Sequence, residues 1–265
     1  MKRLVSLVSV LVLALVLAVP VFADNHGPNV RAVHASPDAP AVDIWVDGTR
    51  AFENAPFKGI TPYAMLTPGM TNIQVVPAGA TEPVVIEADL DLQAETDYTI
   101  VALNTLENIE PLVLVDNNSL PAEGKAHVRF IHASPDAPAV DIAVADGGPV
   151  LFGSIPFKGV GDYLPVDAGT YDLEARVAGT ETVALSLPGI TLEEGTVYTV
   201  YAVGFAGGSE PALSATISVD AQRQAMLPAT GDAGIALYIG LLAAGLGLIA
   251  LGSGYRKLQL QKVRN

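Results

Sequence analysis

The stretch His34-Ala-Ser-Pro-Asp-Ala-Pro-Ala-Val-Asp-Ile44 recurs without a change at residues 132–142. An arginine stands three residues before each copy, and the correspondence continues through a Phe-Lys-Gly element to Glu110-Pro111 and its counterpart at residues 210–211. A register kept over about 80 residues predicts two copies of one domain rather than a short solenoid repeat. Each copy has about 100 residues, which is enough for a core of its own.

A polar segment rich in Pro and Gly, residues 117–124, separates the copies. It places the first domain at residues 24–120 and the second at 121–222. Within a copy, short runs rich in β-branched residues alternate with turn residues, and no window has the 3.6-residue period of an amphipathic helix. The candidate strands of the first copy are Asn29–Ala35, Ala41–Val46, Tyr63–Leu66, Thr71–Val76, Val84–Leu90, Tyr98–Asn104 and Leu112–Val115. This spacing predicts an all-β chain of two tandem Ig-like β-sandwich domains.

The clearest strand follows the proline turn of the repeated stretch. Val42, Ile44 and Val46 alternate there with Asp43, Trp45 and Asp47, and a similar alternation recurs over residues 140–145. Since successive side chains of a strand point to opposite faces, we expect the β-branched residues to face the core and the aspartates to face out.

Charge excludes several classes of protein. The whole chain has 14 basic and 28 acidic residues, but residues 24–230 contain only eight of the basic residues and 27 of the acids, a formal charge of −19. A nucleic-acid binder needs a basic face, so none is expected. The absence of cysteine excludes a disulfide scaffold, a thiol enzyme and a zinc–cysteine site.

Both ends of the chain have the composition of export and anchoring segments. Residues 1–23 combine a basic start, an apolar run and small residues before a cut after Ala23, which predicts a secretory signal peptide, with an uncleaved anchor as the alternative. Residues 232–255 are long and apolar enough for a transmembrane helix, and the basic tail 256–265 predicts a single-pass protein with its N-terminus outside.

The linker 223–231 contains the pentapeptide Leu227-Pro228-Ala229-Thr230-Gly231. Together with the apolar span and the basic tail, it resembles the LPXTG cell-wall sorting signal of Gram-positive-type surface proteins. That resemblance implies a sortase that cleaves between Thr230 and Gly231 and joins Thr230 to peptidoglycan. The alternative is a plain membrane anchor in which the pentapeptide is only a linker.

The duplicated region, from Arg31 through its His-Ala-Ser-Pro-Asp motif to the Tyr-Thr strand at Tyr98, resembles the bacterial domain of unknown function 4397 family. The resemblance covers nearly all of the chain between its ends. It implies export, β structure and tandem duplication, and it assigns no chemistry.

The motif itself contains the candidate site residues His34, Asp38 and Asp43, with counterparts His132, Asp136 and Asp141. One interpretation is structural: a part-buried histidine that hydrogen-bonds the proline turn and fixes a corner. A second is a cation site, since two aspartates five residues apart across a turn suit a hard ion such as Ca²⁺. A third is a hydrolase pair formed by the histidine and the serine two residues later, although no third member is evident.

Trp45 is the only tryptophan, and its counterpart in the second copy is Ala143. It is therefore dispensable for the fold, and it either stacks on a sugar or peptide ligand or lies against the neighbouring domain. We expect a non-enzymatic surface protein for binding or adhesion, without a cofactor. A structural spacer is the alternative, and a surface hydrolase is the third reading. The ligand itself does not follow from the sequence.

Overall fold

The computed structural model describes residues 26–223. This part of the chain is all-β, apart from one short 3-10 turn at Leu106–Asn108, and it forms two sandwiches in tandem, which confirms the predicted fold class. None of its helical segments has the length and apolar character needed to cross a membrane. The predicted signal peptide, LPATG motif, transmembrane helix and basic tail lie outside the described residues.

The first sandwich is built from eight strands in two four-stranded sheets. The strands are β1 (Asn29–His34), β2 (Val42–Val46), β3 (Thr49–Ala55), β4 (Ala64–Met65), β5 (Gly69–Pro77), β6 (Ile86–Leu92), β7 (Asp97–Leu103) and β8 (Glu110–Asp116). The inner sheet, which packs against the other sandwich, has the order β4-β1-β7-β8. The outer sheet has the order β3-β2-β5-β6.

The second sandwich repeats this topology. Its inner sheet has the order β12-β9-β15-β16 and its outer sheet the order β11-β10-β13-β14. The strands are β9 (Lys125–His132), β10 (Val140–Val144), β11 (Val150–Ile155), β12 (Val160–Asp167), β13 (Gly169–Val177), β14 (Val183–Leu192), β15 (Thr196–Val203) and β16 (Ser214–Gln222).

Three apolar cores hold four sheets in one stack. One core lies between the two sheets of each sandwich, and the third lies between the two inner sheets. The third core joins residues such as Val33 and Val101 of the first sandwich to Ile131 and Tyr201 of the second, all at most 1% exposed. Because all three cores lie before residue 223, residues 26–222 form a self-contained unit.

The alternation of β2 is confirmed for its apolar residues and needs a correction for Asp43. Val42 and Ile44 are in the first core, and Val46 packs against it. Asp43 lies on the opposite face of the strand, but it is only 1% exposed because the chain folds over its carboxylate. An outward-facing position on a strand therefore does not guarantee contact with water.

The strand predictions were wrong in two places. The polar strand β3 was missed, since its sequence TRAFENA has only Ala55 buried and so lacks an apolar face. The predicted strand Tyr63–Leu66 is reduced to Ala64–Met65, whereas its counterpart β12 in the second sandwich has eight residues.

Candidate functional site

The histidine of the repeated motif ends the first inner-sheet strand of each sandwich, and both rings are buried. The Nε2 atom of His34 lies 2.9 Å from the carbonyl oxygen of Pro40, and that of His132 lies 3.0 Å from the carbonyl oxygen of Pro138. Because a carbonyl oxygen only accepts hydrogen bonds, Nε2 is the protonated nitrogen in both rings. Each ring thus closes the proline turn onto the strand that precedes it.

Burial also fixes the charge of these rings. Removal from water disfavours the imidazolium form and lowers the pKa of His34 and of His132 below the ordinary 6.5, although the hydrogen bond to the proline carbonyl opposes this. Both rings are therefore neutral at pH 7. Only Nδ1 remains as a base, and in the second sandwich it faces the backbone N–H of Ser134 at 3.4 Å.

The serine of the motif is buried in both copies. Ser36 and Ser134 are both fully buried. The hydroxyl of Ser134 donates to the carbonyl oxygen of Gly204 at 2.6 Å, so its proton is directed away from His132. In the second sandwich this geometry favours the structural interpretation of the histidine and serine over the hydrolase pair. The Ser36 hydroxyl of the first copy is buried without a hydrogen-bond partner among the described residues.

The Phe-Lys-Gly element contacts the buried histidine through two backbone hydrogen bonds and one aromatic ring. The backbone N–H of Lys58 donates to the carbonyl of His34 at 2.8 Å, and the N–H of His34 donates to the carbonyl of Gly59 at 2.9 Å. The ring of Phe57 packs edge-on against the imidazole, with centroids 6.4 Å apart. The same contacts recur around His132.

The first aspartate of the motif anchors the loop that follows the central inner strand. Asp38 Oδ1 accepts the backbone N–H of Leu106 at 2.7 Å. Its counterpart Asp136 accepts two backbone N–H groups, from Ala206 at 2.7 Å and from Gly207 at 2.8 Å. In both sandwiches this carboxylate accepts hydrogen bonds from the backbone N–H groups of a loop that is distant in the sequence, which would otherwise need water as their acceptor.

The second aspartate, Asp43, holds two other segments. One of its oxygens accepts the N–H of Asn54 at 2.7 Å, and the other accepts the N–H of Gly79 at 3.0 Å. Arg50 adds a charged contact at 3.2 Å. These hydrogen bonds, the one from Asn54 above all, lower the pKa of Asp43 below 3.8 against the opposing effect of desolvation.

Asp141 repeats this arrangement in the second sandwich. It accepts the N–H of Gly179 at 2.9 Å and the N–H of Ser154 at 2.6 Å, and these two bonds lower its pKa below 3.8. Ser154 and its counterpart Asn54 both have a positive φ, at 53° and 52°. The carboxylate therefore stabilises a left-handed residue that few side chains favour.

The motif residues are consequently distributed over separate anchor points. Asp38 holds the loop after β7, whereas Asp43 holds the β3 bulge and the turn between β5 and β6. Across residues 26–223, no three side chains of the His, Asp or Glu type are grouped as a metal site. The structure does not bring His34, Asp38 and Asp43 together as ligands of one ion.

A second group of functional side chains was missed by the sequence reasoning. Four buried charges, the Arg–Asp quartet, lie between the two inner sheets: Arg31, Asp116, Arg129 and Asp220. Nη2 of Arg31 lies 2.6 Å from Asp220, and Nη2 of Arg129 lies 2.6 Å from Asp116, so each sandwich supplies an arginine to the aspartate of the other. Their side chains are at most 3% exposed.

The hydroxyl groups around the quartet complete its hydrogen bonds. Thr99 accepts from Arg31 Nε at 2.7 Å and donates to Asp116 at 2.6 Å, and the hydroxyl of Tyr63 also donates to Asp116, at 2.5 Å. The guanidinium of Arg31 lies over the Tyr63 ring at 4.6 Å. Burial, with the charge of Asp116, raises the pKa of the Tyr63 phenol well above its ordinary value, which keeps the hydroxyl a donor.

The second sandwich provides the corresponding groups. Arg129 Nε donates to Thr199 at 3.0 Å and its guanidinium lies over the ring of Tyr163 at 4.6 Å. Thr199 donates to Asp220, and so does Ser218 at 2.6 Å. The two positive and two negative charges balance, and the reciprocal exchange resembles an isologous dimer interface.

A local pattern in β1 indicates this interface. Val30 and His34 face the sandwich core, while Arg31 and Val33 on the opposite face are equally buried, at 2% and 1% exposure. A strand that is apolar on both faces is typical of a sheet covered on both sides. An arginine at the same place in both copies of such a strand requires a buried counter-charge.

A surface group is found on the outer sheet of the first sandwich. We call it the Trp45 face, and it comprises a half-buried indole with polar neighbours on the adjoining strands: Trp45, Arg50, Asn72, Gln74, Glu87 and Asp89. The Arg50 guanidinium lies 5.8 Å from the indole ring. Trp45 is on the sheet away from the neighbouring sandwich, which excludes the prediction that it lies in the domain interface.

The polar side chains of the Trp45 face form hydrogen bonds with one another. Gln74 Nε2 donates to Glu87 at 3.0 Å, and Asn72 Nδ2 donates to Asp89 at 2.8 Å. The indole Nε1–H of Trp45, by contrast, is shielded from solvent and has no hydrogen-bond acceptor among the described residues.

Comparison with known proteins identifies the family of this fold. The family described as "Domain of unknown function (DUF4397)" matches residues 28–143 and again residues 143–235. The chain belongs to this family. We call its two sandwiches the first and second DUF4397 domains, although the two matches meet at residue 143, within β10. Among curated proteins, no sequence matches.

Solved structures add a weak likeness to the two DUF4397 domains. The Bacillus anthracis TIE protein aligns with 68% of this chain and 34% of its own length, at 13% identity and a TM-score of 0.23. The chain thus spans about a third of that protein, and the score is too low to support any argument.

The two DUF4397 domains share their anchor points and differ at their outer surfaces. In the second domain, Ala143 takes the place of Trp45 and is fully buried. The neighbouring Arg176 is also buried, and it pairs with Glu174 at 2.5 Å and with Glu181 at 3.3 Å. The aromatic surface is therefore a property of the first DUF4397 domain alone.

Proposed function

We propose that the chain is a non-enzymatic cell-surface protein whose first DUF4397 domain binds a neutral saccharide through the Trp45 face. The observation that carries this proposal is the location of Trp45, on an outer sheet and away from both the domain interface and the motif. The motif residues are occupied by structural hydrogen bonds in both domains. The Trp45 face is the aromatic and polar surface that one domain has and the other lacks.

The chemistry of the Trp45 face suits such a ligand. An indole offers a rigid apolar surface at low cost in conformational entropy, and amide and carboxylate groups beside it exchange hydrogen bonds with hydroxyl groups. Glu87 and Asp89 outnumber Arg50, and residues 24–230 have a formal charge of −19. This charge opposes the approach of anionic polymers and favours a neutral ligand.

Display outside the cell is part of the proposal. The composition of residues 1–23 supports export, and Leu227–Gly231, followed by an apolar span and a basic tail, supports processing by sortase and attachment to peptidoglycan. Replacing Pro228 by Ala should move the protein from the cell-wall fraction to the membrane fraction. A protein that is in the membrane fraction both with and without this change would favour a plain membrane anchor.

Binding is tested with the fragment 26–223 on an array of neutral glycans. Saturable binding that is lost in Trp45→Ala and partly retained in Trp45→Phe is expected. Val219→Ala is the matched control, because Val219 is also on a strand surface, 54% exposed, in the second domain. Binding that is unaffected by Trp45→Ala, or no binding to any glycan, would overturn the proposal.

A spacer without a specific ligand is the second candidate, and the Arg–Asp quartet favours it. Reciprocal buried ion pairs and a shared apolar core fix the two domains against each other, as a rigid stalk requires. The two functions are compatible in one molecule. A fragment that binds no glycan but keeps its domain interface would leave the spacer function alone.

A further inference from the structure

The two sandwiches differ inside as well as outside. Between the sheets of the second sandwich lies a cavity of about 220 Å³, whereas the corresponding space in the first is about 20 Å³. A space of 20 Å³ holds at most one water molecule, and an apolar cavity of about 150 Å³ in another protein is large enough for benzene. The second sandwich therefore has room for a small molecule and the first does not.

The walls of this cavity come from both sheets and are almost entirely apolar. Val128, Phe130 and Val200 line it from the inner sheet, and Leu173, Leu187 and Ile190 line it from the outer sheet. A water molecule in a buried site needs two to four polar partners, which these side chains do not provide. The lining thus favours a hydrocarbon occupant over water.

An irregularity in the outer sheet coincides with the cavity. Strands β5 and β6 of the first sandwich pair without a register shift, but β13 and β14 shift between Tyr171 and Leu173. The extra residues of β14 include Gly189, which has a φ of 69° and whose N–H donates to Asp172 at 2.7 Å. A bulge bends its strand, and this one lies between the lining residues Leu187 and Ile190.

The polar groups that line the cavity are already paired. Asp167 lines it, and its carboxylate accepts from Lys125 Nζ at 2.7 Å. The hydroxyl of Tyr171 donates to the backbone carbonyl of Asp167 at 2.8 Å. With this exposed carboxylate in the lining and a strongly acidic domain around it, an anionic head group is disfavoured.

We infer that the second DUF4397 domain binds one small neutral apolar molecule, a single aromatic ring or a short hydrocarbon chain, in the cavity between its sheets. This site is independent of the Trp45 face, which lies on the other domain. The ligand enters beside Asp167 and Tyr171 and contacts Phe130, Leu187 and Ile190.

The test uses the fragment 26–223 with benzene, 1-hexanol and hexanoate as probes. Benzene and 1-hexanol should raise the melting temperature in a saturable manner, with one site by titration calorimetry, and hexanoate should bind at least tenfold more weakly. Methyl NMR of the unaltered fragment should show shifts at Leu173, Leu187 and Ile190. The inference would be overturned by shifts that do not saturate, or that appear in the first sandwich instead.

Two variants locate the site further. Leu187→Trp fills the cavity, so we expect it to abolish the effect of benzene while the unliganded fragment melts no lower than before. Val183→Trp is the matched control on the same strand, because Val183 is 44% exposed and outside the lining, and it should leave benzene binding intact. If Leu187→Trp does not fold, the methyl shifts of the unaltered fragment decide the question. Benzene binding that persists in a folded Leu187→Trp contradicts the inference.

Discussion

The two DUF4397 domains have the same hydrogen bonds at the repeated motif, but they differ at their outer surfaces and in their interiors. Each has a buried histidine closing a proline turn and two aspartates that hold distant loops. The first domain alone has an aromatic outer face, and the second alone has a cavity of about 220 Å³. The eleven identical residues are thus those that build the fold, and the sites that we propose lie where the copies differ.

This contrast changes how a duplicated motif is to be interpreted. An unbroken repeat of His, Ser and Asp suggests catalysis or metal binding, but here each histidine and aspartate of the motif is hydrogen-bonded to a backbone group of its own domain. The hydrogen bonds to loops remote in sequence explain why both copies need the same residues. Divergence between the copies is the better guide to ligand binding.

The largest effect on stability is expected at the Arg–Asp quartet, which both domains share. Arg129→Met leaves Asp116 buried without its closest cation, and loss of one member of a buried pair costs about 3–5 kcal/mol. Arg31→Met should lower the free energy of unfolding by a similar amount, because Arg31 pairs with Asp220 as Arg129 pairs with Asp116. Chemical denaturation measures both values. The exposed pair of Lys158 and Glu110 is the control, and Lys158→Met should cost about 1 kcal/mol or less. A quartet variant that costs no more than the control would contradict this view of the interface.

The next largest effect is expected at the second aspartate of the motif. Asp43→Ala leaves the N–H groups of Asn54 and Gly79 without their buried acceptor, and lost hydrogen bonds to a charged group cost about 1.5–3 kcal/mol each. Asp141→Ala tests the same point in the second domain. Asp91 is exposed, so Asp91→Ala should change the free energy of unfolding by about 0.5 kcal/mol or less. Equal effects at Asp43 and Asp91 would show that the anchor is dispensable.

A smaller effect depends on pH. The folded-state pKa of His34 and of His132 is below 6.5, so the unfolded chain takes up protons first as the pH falls. The free energy of unfolding should therefore decrease as the pH falls below about 6.5, by up to about 1.4 kcal/mol per pH unit for each histidine, and these groups should have no effect above pH 7.5 or so. Denaturation from pH 8 to 5 measures the slope.

The double variant His34→Gln with His132→Gln is the control for this slope. It should flatten the curve between pH 7 and 5, although its stability at pH 7 is lower. Asp43 and Asp141, whose pKa values lie below 3.8, contribute stability that is lost only in more acidic solution, so the two effects are separable. An unchanged slope in the double variant would show that the histidines are not buried in their neutral form.

Local sequence pattern was sufficient for the fold class and for the positions of most strands. The period-2 alternation at Val42 and Ile44 and the turn at Pro37–Pro40 report on neighbours along the chain. The Arg–Asp quartet could not be predicted in this way. Arg31 and Asp220 are 189 residues apart, and the sequence around one of them does not indicate the other as its partner. The fate of Asp43 was missed for the same reason, since its acceptor role depends on Asn54 and Gly79 in other strands and turns.

The candidate ligand sites were predictable to different degrees. The replacement of Trp45 by Ala143 is visible once the copies are aligned, and a position outside the domain interface was one of the two alternatives predicted for Trp45. The cavity depends on a bulge around Gly189 and on how two sheets separate, which no alternation of apolar residues reveals.

The most direct test separates ligand binding from the free energy of unfolding. In the fragment 26–223, neutral-glycan binding and the free energy of unfolding are measured together for Trp45→Ala and for His34→Gln with His132→Gln. We predict that Trp45→Ala abolishes binding while the fragment stays folded, because the side chain is only half-buried and lies on the outer sheet. The histidine variant should bind normally and unfold more easily. Loss of binding in the histidine variant with Trp45→Ala unaffected would contradict the claim that the motif builds the fold and the divergent surface binds.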